Sequence, residues 1–324
     1  MNETRFAQAI NRSLDDALAR DSSIVLLGED IANAGGTFAV TRGLLDKYGA
    51  DRIIDMPIAE NAIAGMAVGL ALGGFKPVIE IMFMDFMTLT MDALVNQAAK
   101  LHFMFGGQGS VPMVVRTQHG GGINAGPQHS QCLEAWFAHI PGLKVVVPAT
   151  LDDAYALLQS AIDDPNPVLF VENKALYPMK GVLTDDLPPT PLGKARIARA
   201  GSDVTIVSYG AMVYQAMEAA EQLASEGISA EVLDLRTVQP WDEEAVFASL
   251  SKTHRLVIAH EAVEAFGVGA EIAARMAQIG FDELDGPIMR VGAPFMPVPF
   301  ARALEVDYIP SAARIIEAVR ATDV

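Results

Sequence analysis

The residue pattern predicts an α/β protein: a parallel sheet flanked by helices, followed by a second, smaller α/β domain. Two observations carry this. Short β-branched and apolar runs alternate with helix-length segments along most of the 324 residues, the order that builds parallel sheets with helices on both faces. The alternation stops between Lys180 and Ala195, where Leu187-Pro-Pro-Thr-Pro191 cannot sustain a helix or a central strand, because proline lacks an amide donor. The expected domains are therefore residues 1–186 and 187–324.

In chain order, Ile24–Leu27 reads as a buried strand that ends in the Gly28-Glu29-Asp30 turn. Glu60–Leu72 is expected to be a helix of small residues, and Pro77–Glu80 the next strand. Thr88–Lys100 shows helical periodicity. Met113–Val115, Lys144–Val147 and Val168–Val171 are strand-like, and Leu151–Ile162 is the helix between the last two. Beyond the proline-rich stretch, strands are expected at Val204–Ser208, Glu231–Leu233 and Arg255–Ala259. Helices are expected at Met212–Glu226, Asp242–Ser251, Gly269–Gln278 and Ser311–Arg320. In Met212–Glu226, Val213, Ala216, Met217, Ala220 and Leu223 share one face.

Composition narrows the function. Hydrophobic residues make up 51% and charged residues 19%, enough apolar side chain for a buried core and an excess of the kind that subunit interfaces absorb. A net charge of −17 repels phosphate backbones and argues against nucleic acid. That charge serves either as a solvated surface or as an attraction for a basic partner. One cysteine, Cys132, excludes an intrachain disulfide and a multi-cysteine metal site. The N-terminal stretch is amphipathic without a signal-type apolar region, and Ala62–Phe75 is too short to span a bilayer. A reducing cytoplasm is the expected setting.

No P-loop, nucleophile elbow or paired-histidine zinc motif is present, and the six histidines lack close metal-ligand spacing. The candidates are instead polar residues at the carboxyl ends of expected strands, where open α/β sheets place ligands. Glu29 follows the first strand. Glu60 opens a helix just after Asp55-Met-Pro-Ile-Ala59. Phe86 lies in a loop with Met82, Met84 and Met87, and His129 stands in Gly126-Pro-Gln-His-Ser-Gln131, beyond Gly120-Gly-Gly122.

These segments, with Gly65, Ala67, Gly69, His139-Ile-Pro-Gly-Leu-Lys-Val145, Ala161-Ile-Asp-Asp-Pro-Asn-Pro167 and Asp234-Leu-Arg-Thr237, closely resemble the β subunit of the E1 component of 2-oxo acid dehydrogenases. The resemblance runs in order along nearly the whole chain. Met104-Phe-Gly-Gly107 and Val115-Arg-Thr117 lean toward the acetoin dehydrogenase branch. It implies a thiamine-diphosphate-dependent enzyme with a pyrimidine-binding domain and a transketolase-type C-terminal domain. An α subunit, in an α2β2 heterotetramer, would hold the diphosphate and Mg2+ through a Gly-Asp-Gly motif that this chain lacks; its nearest approach is Leu284-Asp-Gly-Pro287.

By the same resemblance Glu60 is the carboxylate that bonds N1′ of the aminopyrimidine and favours its imino tautomer. Taken alone, it reads better as an acid at a helix start. His129 matches a histidine that handles protons or guides the lipoyl acceptor on E2. Phe86 and Met82 match residues that hold the pyrimidine ring. Met84 and Met87 read as core filler, and Glu29 is accounted for nearly as well by a turn carboxylate. Met113, Ala161, Asp164 and Asn166 match positions that hold a structural potassium ion, largely through backbone carbonyls. Two departures are Met56, where threonine is usual, and Phe295, where a polar residue is common. Rival expectations are a split transketolase-like subunit acting on sugar phosphates and a β homologue that never binds cofactor. The acidic C-terminal domain is the expected dock for a basic E2 domain.

Overall fold

The structure is a computed structural model that describes residues 3–322; Met1 and Asn2, which open the amphipathic N-terminal stretch, lie outside them. The chain forms two compact units. The first comprises Met1–His119 and Trp136–Leu192, and the second comprises Gly120–Ala135 and Gly193–Val324. No periodicity in the sequence assigns the 120–135 segment to the second unit.

In the first unit, parallel strands lie side by side in the order Lys144–Val146, Val168–Asn173, Val114–His119, Lys76–Ile81, Ile24–Gly28 and Ile53–Asp55. Every residue of Ile24–Gly28 is buried, which is why that run is apolar throughout rather than alternating. The register sets Gly28 beside Asp55 on one side and Glu80 on the other, and Glu80 beside Arg116. Polar and charged groups therefore share one level at the carboxyl side of the sheet.

The Phe6–Arg20 helix buries Phe6, Ile10, Leu14, Ala17 and Leu18 and packs on Leu151–Asp163. There Gln159 Nε2 donates to the carbonyl and hydroxyl oxygens of Ser13, so the amide enters the interface with its bonds made. Glu60–Leu72 is helical over the expected residues. Thr88–Lys100 is not one α-helix. Met84–Thr90 is a 3₁₀ turn, Asp92–Ala98 a π-helix and Ala99–Met104 an α-helix. Changes of winding of this kind keep roughly one face inward, so hydrophobic spacing alone does not reveal them.

The second unit holds a sheet in the order Met289–Ala293, Leu256–Val263, Val204–Ser208, Ala230–Asp234 and Arg196–Arg199, with only the last strand antiparallel. On the Met212–Ser225 helix Val213, Ala216, Ala220 and Leu223 are buried and Met217 is partly so. Ala312–Arg320 joins that core through Ile315, Ile316 and Val319. Asp242 caps the Glu243–Thr253 helix by accepting from the Ala245 N–H at 3.3 Å. Among the described residues, no helix is long and apolar enough to cross a membrane.

Candidate active site

The first unit gathers two acids at the carboxyl end of the Ile24–Gly28 strand. Gly28 ends that strand where a Cβ would lie 2.8 Å from Ile31 Cγ2 and 3.0 Å from the Glu80 carbonyl oxygen, so glycine alone fits this close approach. Glu29 follows, 8% exposed. Asp55, on the neighbouring strand, accepts from the Ala32 N–H at 2.7 Å and ties down the loop beyond Glu29. Four residues on, Ala59 leads into the helix whose first residue is Glu60, 7% exposed. Its position favours an acid through the helix dipole, but its burial exceeds what a solvated helix-start carboxylate requires.

The charge of Glu60 acts on Glu29. The Glu29 carboxyl is raised above its ordinary value, first by burial and then by the charges of Glu60 and Asp30. Glu29 Oε1 is buried and has no hydrogen-bond partner among the described residues. A buried acceptor left unsatisfied calls for a donor from outside the fold.

Beneath this end of the sheet, Arg116 is wholly buried between two acids. Its Nη1 donates to Glu80 Oε2 at 2.6 Å, while Nε and Nη2 grip Glu172 at 2.7 and 2.8 Å. The Tyr177 hydroxyl donates to Glu172 Oε2 at 2.6 Å. Burial lowers the arginine's affinity for its proton, but the charges of Glu172 and Glu80 outweigh it and leave the pKa above the ordinary value. The sequence hinted at this group only through charged residues inside otherwise apolar strands.

Met82 follows Lys76–Ile81 directly and Phe86 lies in the 3₁₀ turn Met84–Thr90, both half-buried. Thr37 Oγ1 donates to Met82 Sδ at 3.6 Å. Phe86 meets Phe83 edge to face at 5.8 Å between ring centroids, and Phe83 meets Phe38 at 5.9 Å. Lys174 Nζ sits 5.3 Å from the Phe83 ring centroid. Met84 and Met87 are fully buried filler.

His129 belongs to the second unit, on the 120–135 loop, and is half-buried. The structure thus brings Glu29 and Glu60 together in the first unit, with Met82 and Phe86 just beyond a neighbouring strand, while His129 is carried separately. Among the positions expected to hold potassium, the Met113 carbonyl accepts from Val168 N–H at 3.0 Å and that of Ala161 from Asp164 N–H at 3.3 Å. Asp164 Oδ1 accepts from Lys144 Nζ at 2.8 Å and from Asn166 N–H at 2.9 Å.

Comparison with known proteins identifies the family. The family described as "Transketolase, pyrimidine binding domain" matches residues 2–180, and "Transketolase, C-terminal domain" matches residues 193–315. The chain is 42% identical to pyruvate dehydrogenase E1 component subunit beta-2, mitochondrial, of Oryza sativa subsp. japonica, over 98% of this chain and 86% of that one. It is 45% identical to the acetoin:2,6-dichlorophenolindophenol oxidoreductase subunit beta of Bacillus subtilis, over 96% and 94%. Against the Cupriavidus necator protein of the same description identity is 46%, over 97% and 96%. A solved split gene transketolase, described as an inactive beta4 tetramer, superimposes with a TM-score of 0.80 at 25% identity, covering 98% of this chain and 97% of that one. The chain belongs to the transketolase-like family of E1 β subunits of pyruvate and acetoin dehydrogenases.

Proposed function

We propose that this chain is the β half of a thiamine-diphosphate-dependent E1 that decarboxylates a 2-oxo acid or cleaves acetoin, works with an α-type partner and passes the acyl group to a lipoyl-bearing E2. The observation that carries the reading is the pair Glu29 and Glu60, buried together at a strand end with an acceptor oxygen left over. Family membership supports it, and so does identity of 42–46% to E1 β chains against 25% to the split transketolase.

The residues present suit the aminopyrimidine end of the cofactor. Glu60 would accept a hydrogen bond from the ring, and Glu29 would answer a second ring donor or keep its own proton. A proton resting on Glu29 removes a like charge from beside Glu60. Phe86 and Met82 would supply the apolar wall against which an aromatic ring packs. Bound there, thiamine diphosphate supplies a nucleophilic carbon that cleaves the bond next to a carbonyl and carries the acyl fragment. His129 would hold or donate a proton during acyl transfer. The diphosphate and Mg2+ are assigned to the partner. Any structural potassium would draw on the Met113 and Ala161 carbonyls together with Asp164 and Asn166. A cytoplasmic location completes the reading.

The test is Glu60→Gln in the complex assembled with the α-type partner. The amide keeps the size of the side chain and loses its basic oxygen, so turnover is expected to fall by roughly 10²-fold or more while assembly is retained. An assembled Glu60→Gln complex with wild-type turnover refutes the assignment.

A further inference from the structure

The segment 120–135 has little to hold itself in place, with Gly120, Gly121, Gly122 and Gly126 in its first half and neither helix nor strand before Glu134. Its path is held by side chains from later in the second unit. The Gly121 N–H donates to Glu261 Oε1 at 2.6 Å. Asn124 donates twice to Glu305 Oε2, from its backbone N–H and from Nδ2, both at 3.0 Å. At the far end, the Tyr209 hydroxyl donates to Glu134 Oε1 at 2.8 Å. All three acids are buried, at 8%, 2% and 0% exposure. Burial keeps water from competing for these hydrogen bonds.

Packing adds to the grip. A Cβ on Gly121 would come within 3.0 Å of Ile309 Cδ1 and 3.2 Å of Glu305 Oε1, and one on Gly126 within 2.1 Å of the Phe300 ring. Asn124 holds a left-handed φ of 60°, a conformation its side-chain bond to Glu305 helps to offset. The loop therefore lies flush against residues 300–309. His129 sits midway between the two anchored ends.

We propose that Glu305 and Glu261 are positioning residues: by seizing the backbone of the 120–135 loop they set where His129 stands, so the second unit aims the histidine. This rests on the role given to His129 above. Neither acid touches substrate or cofactor in this account.

The experiment uses the complex assembled with its α-type partner and two variants, Glu305→Gln and Glu305→Ala. The amide has the size of the acid and keeps one acceptor oxygen, so it is expected to fold and to lower kcat about fivefold, the worth of one ordinary hydrogen bond. Alanine releases the loop and is expected to lower kcat about tenfold to a hundredfold, the penalty of displacing a group by an ångström or so. Affinity for thiamine diphosphate stays unchanged in both. Introduced into His129→Ala, either change costs nothing further, because the group it positions is gone. A second readout is independent of catalysis. Diethylpyrocarbonate, followed by peptide mass spectrometry, modifies His129 faster in Glu305→Gln, and faster still in Glu305→Ala if that variant folds. Unchanged modification rates, or losses that simply add in the His129→Ala background, overturn the proposal. If His129→Ala is itself fully active while the modification rate still rises, the clamp stands and the catalytic role of His129 falls.

Discussion

At the scale of single residues, Glu29 and Glu60 are held at one strand end with little access to water. Glu29 carries the visible consequence, a carboxyl raised above its ordinary value by burial first and by Glu60 and Asp30 next. The folded chain thus binds this proton more tightly than the unfolded chain. Stability is fully present below the ordinary value and erodes as pH climbs through the raised one. Glu29→Gln removes that titration. It is expected to raise the melting temperature at about pH 7 and to lose the gain by about pH 4. Calorimetry across that range checks it, and a gain that grows toward acid would contradict the coupling. The positions of Glu29 and Glu60, where a strand or loop hands over to the next element, were legible in sequence, and only the family resemblance gave them a role. Their mutual burial was not legible, since about thirty residues of chain separate them and only the register of Ile24–Gly28 against Ile53–Asp55 sets them near.

At the scale of elements, three neighbouring strands are tied by the Glu80–Arg116–Glu172 group. Arg116→Met would leave two acids buried without their cation and is expected to cost about 3–5 kcal/mol, read as a lowered urea midpoint. Replacing all three charged residues with apolar ones of similar volume is expected to recover most of that loss. A single substitution that proved harmless would show the group to be idle. Elements of consistent composition were readable: the small-residue helix Glu60–Leu72 and the apolar strand Val204–Ser208 fall at the expected residues. The charged group was not readable, because Glu80 and Glu172 lie 36 and 56 residues from Arg116 along the chain. Nor was the change of winding across Met84–Met104, nor the capture of the 120–135 loop by acids 140 and 181 residues downstream. Glycine-rich segments carry no periodicity, so their partners appear only in three dimensions.

At the scale of the molecule, the chain leaves large apolar side chains facing outward. Ile58, Phe103, Phe266 and Phe295 are each more than three-quarters exposed. Single exposed apolar residues are ordinary, but in a chain that is 51% hydrophobic they fit the assembly with an α-type partner proposed above. The proposal of a shared site also draws on the sequence, where Asp285-Gly286-Pro287 stands as the nearest approach to Gly-Asp-Gly. The direct measurement is calorimetric titration of thiamine diphosphate with Mg2+ into this chain alone and into the complex purified with its α-type partner. Saturable binding in the complex and none to the isolated chain is the predicted result. Equally tight binding to the isolated chain would contradict the account.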